Sequence, residues 1–194
     1  NPLGYTITYH ANDGTFGDDT LVRDVVYNKS NAIVDGTYME PMKDGKVFVG
    51  WYTDAVGGEL VDISVDGIPA NALTSDMTLY ARYKTLVLAQ GSVFCKKIPS
   101  TATSVEFVSE VAPEGATLID VDEDGDGGIV AWMDGTTFKV STQNPAYKVQ
   151  ANSDSSNMFL NKSGLTHIGF ENLDTSLTTD MSSMFAGCKG LTEL

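Results

Sequence analysis

Cysteine and histidine are scarce in this 194-residue chain, which has two residues of each. Two cysteines, Cys95 and Cys188, cannot build a disulfide framework, and neither they nor the histidines have the spacing of a metal-ligand cluster. A Cys95–Cys188 disulfide is an open alternative to two free thiols. No apolar run approaches the roughly 18 residues that a membrane-spanning helix needs, so we expect no membrane span in this fragment.

Basic residues are also few. The chain has 12 Lys or Arg residues and 26 Asp or Glu residues, which gives a formal net charge of −14. Such a surface repels a phosphate backbone, and no run of basic residues along the chain offsets the acidity. We therefore expect no nucleic-acid partner. The acidic residues are spread evenly, and we interpret them as a source of solubility.

The usual catalytic signatures are missing as well. The sequence has no Gly-rich phosphate loop, no Ser-x-x-Lys or Gly-x-Ser-x-Gly motif and no carboxylate pair in a recognisable catalytic setting. Neither His10 nor His167 neighbours a nucleophile in the sequence. The sequence thus predicts a protein that is not an enzyme and that needs no cofactor.

Proline is rare and glycine is common, with 6 and 19 residues respectively. Sustained helical periodicity is absent before the C-terminal region, whereas short runs of strand-forming residues occur throughout. This pattern predicts an α+β fold class that is mostly β.

A 26-residue repeat is the strongest positive feature. Residues 154–168 align with residues 180–194, and seven of the fifteen aligned pairs are identical. The identical pairs are Asp154/Asp180, Ser156/Ser182, Met158/Met184, Phe159/Phe185, Gly164/Gly190, Leu165/Leu191 and Thr166/Thr192. Roughly one identity is expected by chance at ordinary residue frequencies. The repeat, with Ile168/Leu194 as a further apolar pair, predicts a solenoid of stacked coils.

Each coil is predicted to contain one strand and one short helix. The strand half has the spacing L-x-x-L-x-L-x-x, with apolar residues at Leu165, Ile168, Phe170 and Leu173. The helical half begins at an N-cap on Thr179 or Asp180 and ends at Gly190. One buried helix face is predicted to carry Met181, Met184, Phe185 and Cys188.

The first copy has a weaker helix pattern than the second. Ser155 and Lys162 occupy the positions of Met181 and Cys188, which is typical of a capping coil at the end of a core. The second copy stops partway into its next strand. Because a solenoid needs about three repeats to be stable, we expect the natural protein to continue with further coils.

Residues 173–176 (L-D-T-S) and 179–188 (T-D-M-S-S-M-F-A-G-C) carry a family resemblance. This segment resembles the BspA-type leucine-rich repeat of bacterial surface proteins, closely over 150–194 and more loosely from residue 92. The first copy departs from the pattern at residues 160–162, where Leu-Asn-Lys replaces Ala-Gly-Cys. The resemblance implies a surface-attached or secreted protein with a binding role, often in adhesion.

The N-terminal 84 residues predict four strands in a compact module, with a polar connection that could hold a short helix. The predicted strands are residues 5–9, 21–27, 47–53 and 78–84. The motifs G-W-Y-T-D at 50–54 and T-L-Y-A at 78–81, together with 9–16, resemble the Listeria–Bacteroides repeat. That family is related to the internalin B-repeat, and the resemblance implies a small β-grasp-like fold that acts as a spacer or interaction module on the cell surface.

The middle segment, residues 85–150, predicts five short strands: 105–108, 117–121, 129–133, 137–140 and 147–150. Asp134-Gly135 is a hairpin signal between the third and fourth of them. We interpret the segment as a β-meander that caps the repeat domain and does not fold alone. The predicted domains are therefore 1–84, 85–150 and 151–194.

The acidic loop at 122–129 is the sharpest candidate for a metal site. Asp122, Asp124 and Asp126 fall at positions 1, 3 and 5 of an EF-hand pattern, with Gly127 at position 6. Position 12, however, is Met133 instead of glutamate, and the flanks predict strands. We therefore favour an acidic hairpin turn without metal, with calcium binding by the three aspartates as the weaker alternative.

Aromatic residues could also bind a sugar by stacking. Trp51, Tyr52 and Tyr80 are candidates for such a platform, but they alternate within predicted strands, so core packing is favoured. Taken together, the sequence predicts a non-catalytic bacterial surface or secreted protein that binds a host or microbial protein or glycan through its repeat array. The alternative is a structural stalk that only presents other domains.

Overall fold

The computed structural model of the chain describes residues 4–192. It divides into two compact units, Asn1–Lys84 and Thr85–Leu194. Within the described residues there are thirteen strands and one short helix, α1 (Gly91–Lys97). The mostly β prediction is confirmed. The helix α1 was not predicted.

The first unit is built on one six-stranded sheet. Its strands are β1 (Tyr5–His10), β2 (Val22–Tyr27), β3 (Ile33–Asp35), β4 (Lys46–Tyr52), β5 (Leu60–Val61) and β6 (Met77–Thr85). Their order across the sheet is β3-β2-β1-β6-β4-β5. β1 pairs antiparallel with β2 and parallel with β6. The four predicted strands are confirmed, whereas β3 and β5 are additional.

One face of this sheet forms the core of the unit. Successive strand residues point to opposite faces, so Ile7 and Tyr9 of β1 are buried beside Leu79 and Ala81 of β6. The same core contains Ala11, Phe16, Val25, Tyr27 and Trp51. The phenol groups of Tyr9 and Tyr27 lie 2.8 Å apart, and burial raises the pKa of both.

The connection between β2 and β4 contains β3 and turns. Within residues 4–84 the structure has no helix, so the short helix that a polar connection could have held is not formed. A backbone ladder explains the difference, because β3 pairs with β2 at Tyr27↔Ile33 and Val26↔Asp35. The parallel pairing of the first and last long strands is a feature that a β-grasp sheet shares, and the β-grasp description stays a prediction.

The second unit combines the middle segment with the repeats. Its strands are β7 (Ser104–Phe107), β8 (Ile119–Asp120), β9 (Val130–Asp134), β10 (Thr137–Ser141), β11 (Val149–Gln150), β12 (His167–Gly169) and β13 (Leu173–Asp174). A five-stranded sheet has the order β12-β7-β10-β9-β8, and β11 pairs with β13. The β12 strand of the repeat therefore lies in one sheet with strands of the middle segment.

This sheet is not a meander, and the β-meander prediction is wrong. Only β8, β9 and β10 follow one another as antiparallel neighbours, with the predicted hairpin at Asp134-Gly135. β7 instead pairs parallel with both β10 and β12. A meander needs each strand to run antiparallel to its neighbour, and the two parallel pairs of β7 break that alternation.

The 26-residue repeat is realised as two coils joined by parallel backbone hydrogen bonds. Asp154 and Asp180 form a parallel bridge. The amides of alternate residues in the first coil donate to carbonyls in the second, in the pairs Ser155/Asp180, Asn157/Ser182, Phe159/Met184 and Asn161/Ala186, at 2.7–3.0 Å. The equivalent rings of Phe159 and Phe185 are stacked, with centroids 5.7 Å apart and planes 3° from parallel. Repeat-equivalent residues thus lie directly beside one another.

The predicted repeat helix is absent, and the segment between Asp180 and Leu191 forms consecutive turns. The amides of Ala186 and Cys188 bond to carbonyls three residues earlier, and an α-helix would need bonds to the fourth. Ser183 and Gly187 have left-handed φ values of 55° and 79°, which no α-helix contains. Their equivalents one coil earlier, Asn157 and Asn161, have φ values of 61° and 59°. The coil-to-coil bonds therefore replace the helix.

The buried set of the repeat is largely as predicted. Leu165 and Ile168 are buried, and further apolar side chains pack against the same core at Phe170, Leu173, Phe185 and Cys188. Met184 is 8% exposed, but Met181 is 46% exposed, so the inward position predicted for Met181 is wrong. Without a helix, Met181 and Met184 no longer share one face.

Gly190 does not have the predicted left-handed conformation, which Gly187 adopts instead. A Cβ on Gly190 would lie 2.7 Å from the carbonyl oxygen of Leu165, so this glycine permits close approach of the coils. The predicted pairing of Leu194 with Ile168 lies outside the described residues. Cys95 and Cys188 are free thiols.

The two methionines of the second coil test this conformation. We expect Met184→Ala to lower the free energy of unfolding by about 2 kcal/mol or more, because a buried side chain is removed. Met181→Ala is the matched control and should change it by less than about 0.5 kcal/mol. Urea unfolding measures both. Equal losses would support the helix and contradict the turns.

Candidate functional site

The predicted metal ligands lie in the loop between β8 and β9. Asp122 is buried, Asp126 is half-buried and Asp124 is exposed. The structure brings the three carboxylates together, with one oxygen of each within 4.8 Å of the others. Left-handed turns at Gly125 and Gly127, with φ of 74° and 73°, fold the loop back on itself.

Hydrogen bonds within the unit already engage these carboxylates. Asp122 accepts the amides of Gly125 at 2.5 Å and of Gly128 at 2.6 Å on different oxygens. Asp126 accepts the amides of Thr85 and Gly128, both at 2.9 Å. The Thr85 hydroxyl donates to Asp124 at 2.6 Å. The aspartates thus accept hydrogen bonds from the backbone amides of a tight loop. Buried polar groups need such partners.

Burial and mutual repulsion alter the acidity of this loop. Burial, followed by the neighbouring carboxylates, raises the pKa of Asp126. Burial likewise raises the pKa of Asp120, with a further contribution from Asp122. A raised pKa means that the local environment disfavours the charged form. The loop therefore holds negative charges close together at a cost in electrostatic free energy, which a bound cation or a proton would lower.

The EF-hand comparison holds only for the first half of the loop. Asp122, Asp124 and Asp126 converge as positions 1, 3 and 5 would, but Met133 lies in strand β9 at position 12. Gly128 approaches the chain too closely for a side chain, since its Cβ would lie 1.9 Å from the carbonyl oxygen of Thr85. A structural role for the aspartates accounts for every contact described above, and cation binding stays the weaker alternative.

A groove of about 610 Å³ opens beside these carboxylates. One side is formed by the acidic loop and the other by α1, through Val93 and Lys97. The sequence did not indicate this groove because α1 was not predicted. Gly91 begins that helix in close contact with the first coil, since its Cβ would lie 2.3 Å from the carbonyl oxygen of Ser156, a tertiary requirement that no local pattern shows.

The outer side of the five-stranded sheet is a second candidate surface. Neighbouring strands place Lys139 beside Glu106 and His167 beside Ser104. The Lys139 ammonium contacts Glu110 at 2.8 Å and Asp134 at 3.1 Å. We call the half-buried row formed by Ser104, Glu106, His167 and Gly169 the polar sheet face. These side chains alternate with the buried Val105, Phe107 and Ile168, as strand geometry requires.

The predicted aromatic platform does not form as a unit. Trp51 is 1% exposed and belongs to the core of the first unit, as the favoured alternative predicted. Tyr80 instead stacks on His10 at 5.0 Å between ring centroids, and Tyr52 lies under the Arg82 guanidinium at 5.1 Å. Core packing is confirmed for Trp51, whereas Tyr52 and Tyr80 are half-buried and do not belong to the core.

The pH dependence of stability tests the altered acidity of Asp120. Because its pKa is raised in the folded state, its contribution to stability is present below about pH 4, the ordinary aspartate range, and is lost as the pH rises through the raised value. We therefore expect Asp120→Asn to become progressively more stable relative to the unmodified chain above that range. Denaturant unfolding at a series of pH values measures the difference.

Asp174→Asn is the matched control for this series. A hydrogen bond from Ser176 lowers the pKa of Asp174, so its contribution is present above the ordinary range and is lost on acidification. The relative stability of Asp174→Asn should therefore fall as the pH rises. Two difference curves with the same sign would contradict the analysis.

Calcium titration tests the metal alternative directly. Because all three carboxylates already accept hydrogen bonds, we expect Ca²⁺ at about 1 mM, the weak end of extracellular calcium modules, to leave the melting temperature unchanged. Differential scanning calorimetry of the full chain measures this. A rise that disappears in Asp124→Asn would show that the loop is a calcium site.

Among the described residues, no helix has the length and apolar character needed to cross a bilayer. A search of curated proteins and a search of solved structures found no significant match. Residues 5–82 match the family model of the Listeria-Bacteroides repeat domain, Flg_new. The BspA-type resemblance over 150–194 stays a prediction. The first unit therefore carries a Listeria-Bacteroides repeat module, which indicates a bacterial surface-associated repeat protein.

Proposed function

We propose that this chain is a non-catalytic bacterial cell-surface or secreted protein that binds a host or microbial surface protein or glycan through its repeat array, as an adhesin does. The stacking of equivalent residues in consecutive coils carries the proposal. The Listeria-Bacteroides repeat module supports the surface location. Neither histidine supports catalysis, since His10 stacks on Tyr80 and His167 lies within β12.

The repeat array is inferred to be of the BspA type. Two coils 26 residues apart stack in parallel, and Leu165, Ile168 and Met184 face a common core. These features agree with a leucine-rich solenoid in which each coil contacts only its neighbours. The segment after Asp180 forms turns instead of the predicted helix.

The polar sheet face is the proposed contact surface. Strands in a sheet lie about 4.8 Å apart, so stacked coils present side chains at a fixed spacing on a rigid support. Glu106 and His167 are polar, half-buried and held by β7 and β12. Gly169 lies beside Glu106 in the ladder, and a Cβ on it would lie 3.5 Å from both the Glu106 and the His167 side chains. These two side chains therefore meet over the glycine. Solenoid proteins use such extended surfaces for binding.

The alternative is a structural stalk. The six-stranded first unit, inferred to be β-grasp-like from its parallel β1–β6 pair, would then serve as a spacer. The stalk needs no ligand at the polar sheet face, whereas the interaction protein does. Binding measurements therefore separate the two functions.

A panel of immobilised matrix proteins and glycans, probed with the full chain, tests the proposal. We expect at least one partner to be retained, and we expect the double variant Glu106→Gln, His167→Gln to weaken that binding by about fivefold or more, as the loss of roughly 1 kcal/mol would. Surface plasmon resonance gives the affinities.

Glu59→Gln is the control because Glu59 is exposed and belongs to the first unit. Its affinity should equal that of the unmodified chain. If no partner is retained, the stalk is favoured. If the double variant binds as well as the unmodified chain, the polar sheet face is not the contact surface.

A further inference from the structure

Basic side chains converge in the first unit although its sequence is acidic. Residues 1–84 contain 12 acidic residues and six basic ones, namely Arg23, Lys29, Lys43, Lys46, Arg82 and Lys84. Three of these six, Lys43, Lys46 and Arg82, line one pocket of about 250 Å³. Asp13 is the acidic residue in that lining, and its carboxylate lies 3.9 Å from the Lys43 ammonium. The formal charge of the lining is therefore +2 (three positive, one negative), with Lys43 partly neutralised.

A tight turn holds the two lysines side by side. Lys43 and Lys46 form an antiparallel bridge across Asp44-Gly45, with a 3.1 Å hydrogen bond from the Lys46 amide to the Lys43 carbonyl. Gly45 has a left-handed φ of 68°. Residues directly opposite each other across such a ladder have neighbouring side chains, and like charges there are unfavourable. An anion between them would turn this repulsion into attraction.

Arg82 is fixed in place on the other side of the pocket. Its Nη2 donates to the carbonyl oxygens of Asp54, at 3.1 Å, and of Gly57. Its guanidinium also lies over the Tyr52 ring. These contacts hold the guanidinium at the pocket edge, and this group stays protonated near neutral pH. Little side-chain entropy would therefore be lost when an anion binds.

The remaining wall of the pocket is apolar and ordered. Val56 is 89% exposed, and the Tyr83 ring lies 5.4 Å from the Lys43 ammonium. The side-chain amide of Asn12 donates to the carbonyl oxygens of Ala55, at 3.2 Å, and Ala81, at 2.9 Å, which fastens the 54–58 loop to β6. A small inorganic anion would leave the exposed Val56 side chain without a partner.

We propose that this pocket binds an anionic saccharide, with a uronate carboxylate or a sulfate ester between Lys43, Lys46 and Arg82 and the sugar ring against Val56 and Tyr83. A sugar ring offers C–H groups to an apolar wall and an oxyanion to the cations. The volume lies just below the range of about 300–1,000 Å³ that holds drug-sized ligands. It therefore suits one ring of a longer chain. This site is separate from the polar sheet face.

Calorimetric titration of the full chain tests the site with four probes of similar length. They are a galacturonate tetrasaccharide, a sulfated heparin-type tetrasaccharide, maltotetraose and tetraglutamate. We expect binding of at least one anionic saccharide, and the pair distinguishes carboxylate from sulfate as the recognised group. The double variant Lys43→Gln, Lys46→Gln should weaken this binding about tenfold, because two charge contacts are lost.

Lys29→Gln removes one positive charge, as Lys43→Gln alone does, from an exposed turn of the same unit that lies outside the pocket. Its affinity and its melting temperature should match those of the unmodified chain. An unchanged melting temperature of the double variant shows that it is folded, and if that variant unfolds, Lys43→Gln alone replaces it. The proposal is overturned if neither anionic saccharide binds or if maltotetraose or tetraglutamate binds equally well. Equal weakening by Lys29→Gln would overturn it too.

Discussion

The backbone hydrogen bonds between equivalent positions of successive coils are the constraint on which the second unit depends. Carbonyls of alternate residues, from Asp180 to Ala186, accept amides of the preceding coil, and these same carbonyls would be needed inside a helix. A carbonyl that points sideways to the neighbouring coil does not point along a helix axis, so the segment cannot adopt both patterns. The stack is formed, and the chain turns through left-handed residues such as Ser183 and Gly187.

The need to pair backbone amides also explains the role of several aspartates. Asp154 and Asp180 each accept the amide of the serine two residues later, at 3.1 and 2.8 Å, and Asp174 does so for Ser176. Asp122 accepts two backbone amides of its loop, those of Gly125 and Gly128. Several aspartates therefore complete the hydrogen bonding of turns that regular structure leaves open, and convergence of carboxylates does not by itself indicate a metal.

The sequence predicts those features that local pattern determines. Period-two alternation located β1 and β6, and self-comparison gave the period that places Phe159 on Phe185. Sequence patterns did not predict the features that depend on contacts between residues far apart in the chain. Met181 and Met184 have helical spacing, but hydrogen bonds from the neighbouring coil prevent the helix. Helix α1 begins at Gly91 because the carbonyl oxygen of Ser156 leaves no room for a side chain there. Likewise, Arg82 is far along the chain from Lys43 and Lys46, so the cationic pocket has no linear signature.

Net charge and local charge therefore have different consequences for binding. A charge of −14 acts against a long polyanion, because each added phosphate meets more of the acidic surface. A single saccharide anion is different, since charges beyond the Debye length of about 8 Å at physiological salt are largely screened. The lining of the pocket itself has three cations and one carboxylate, Asp13, which lies 3.9 Å from the Lys43 ammonium. We expect the acidic surface to repel nucleic acid, whereas the lining of the pocket would attract one small oxyanion.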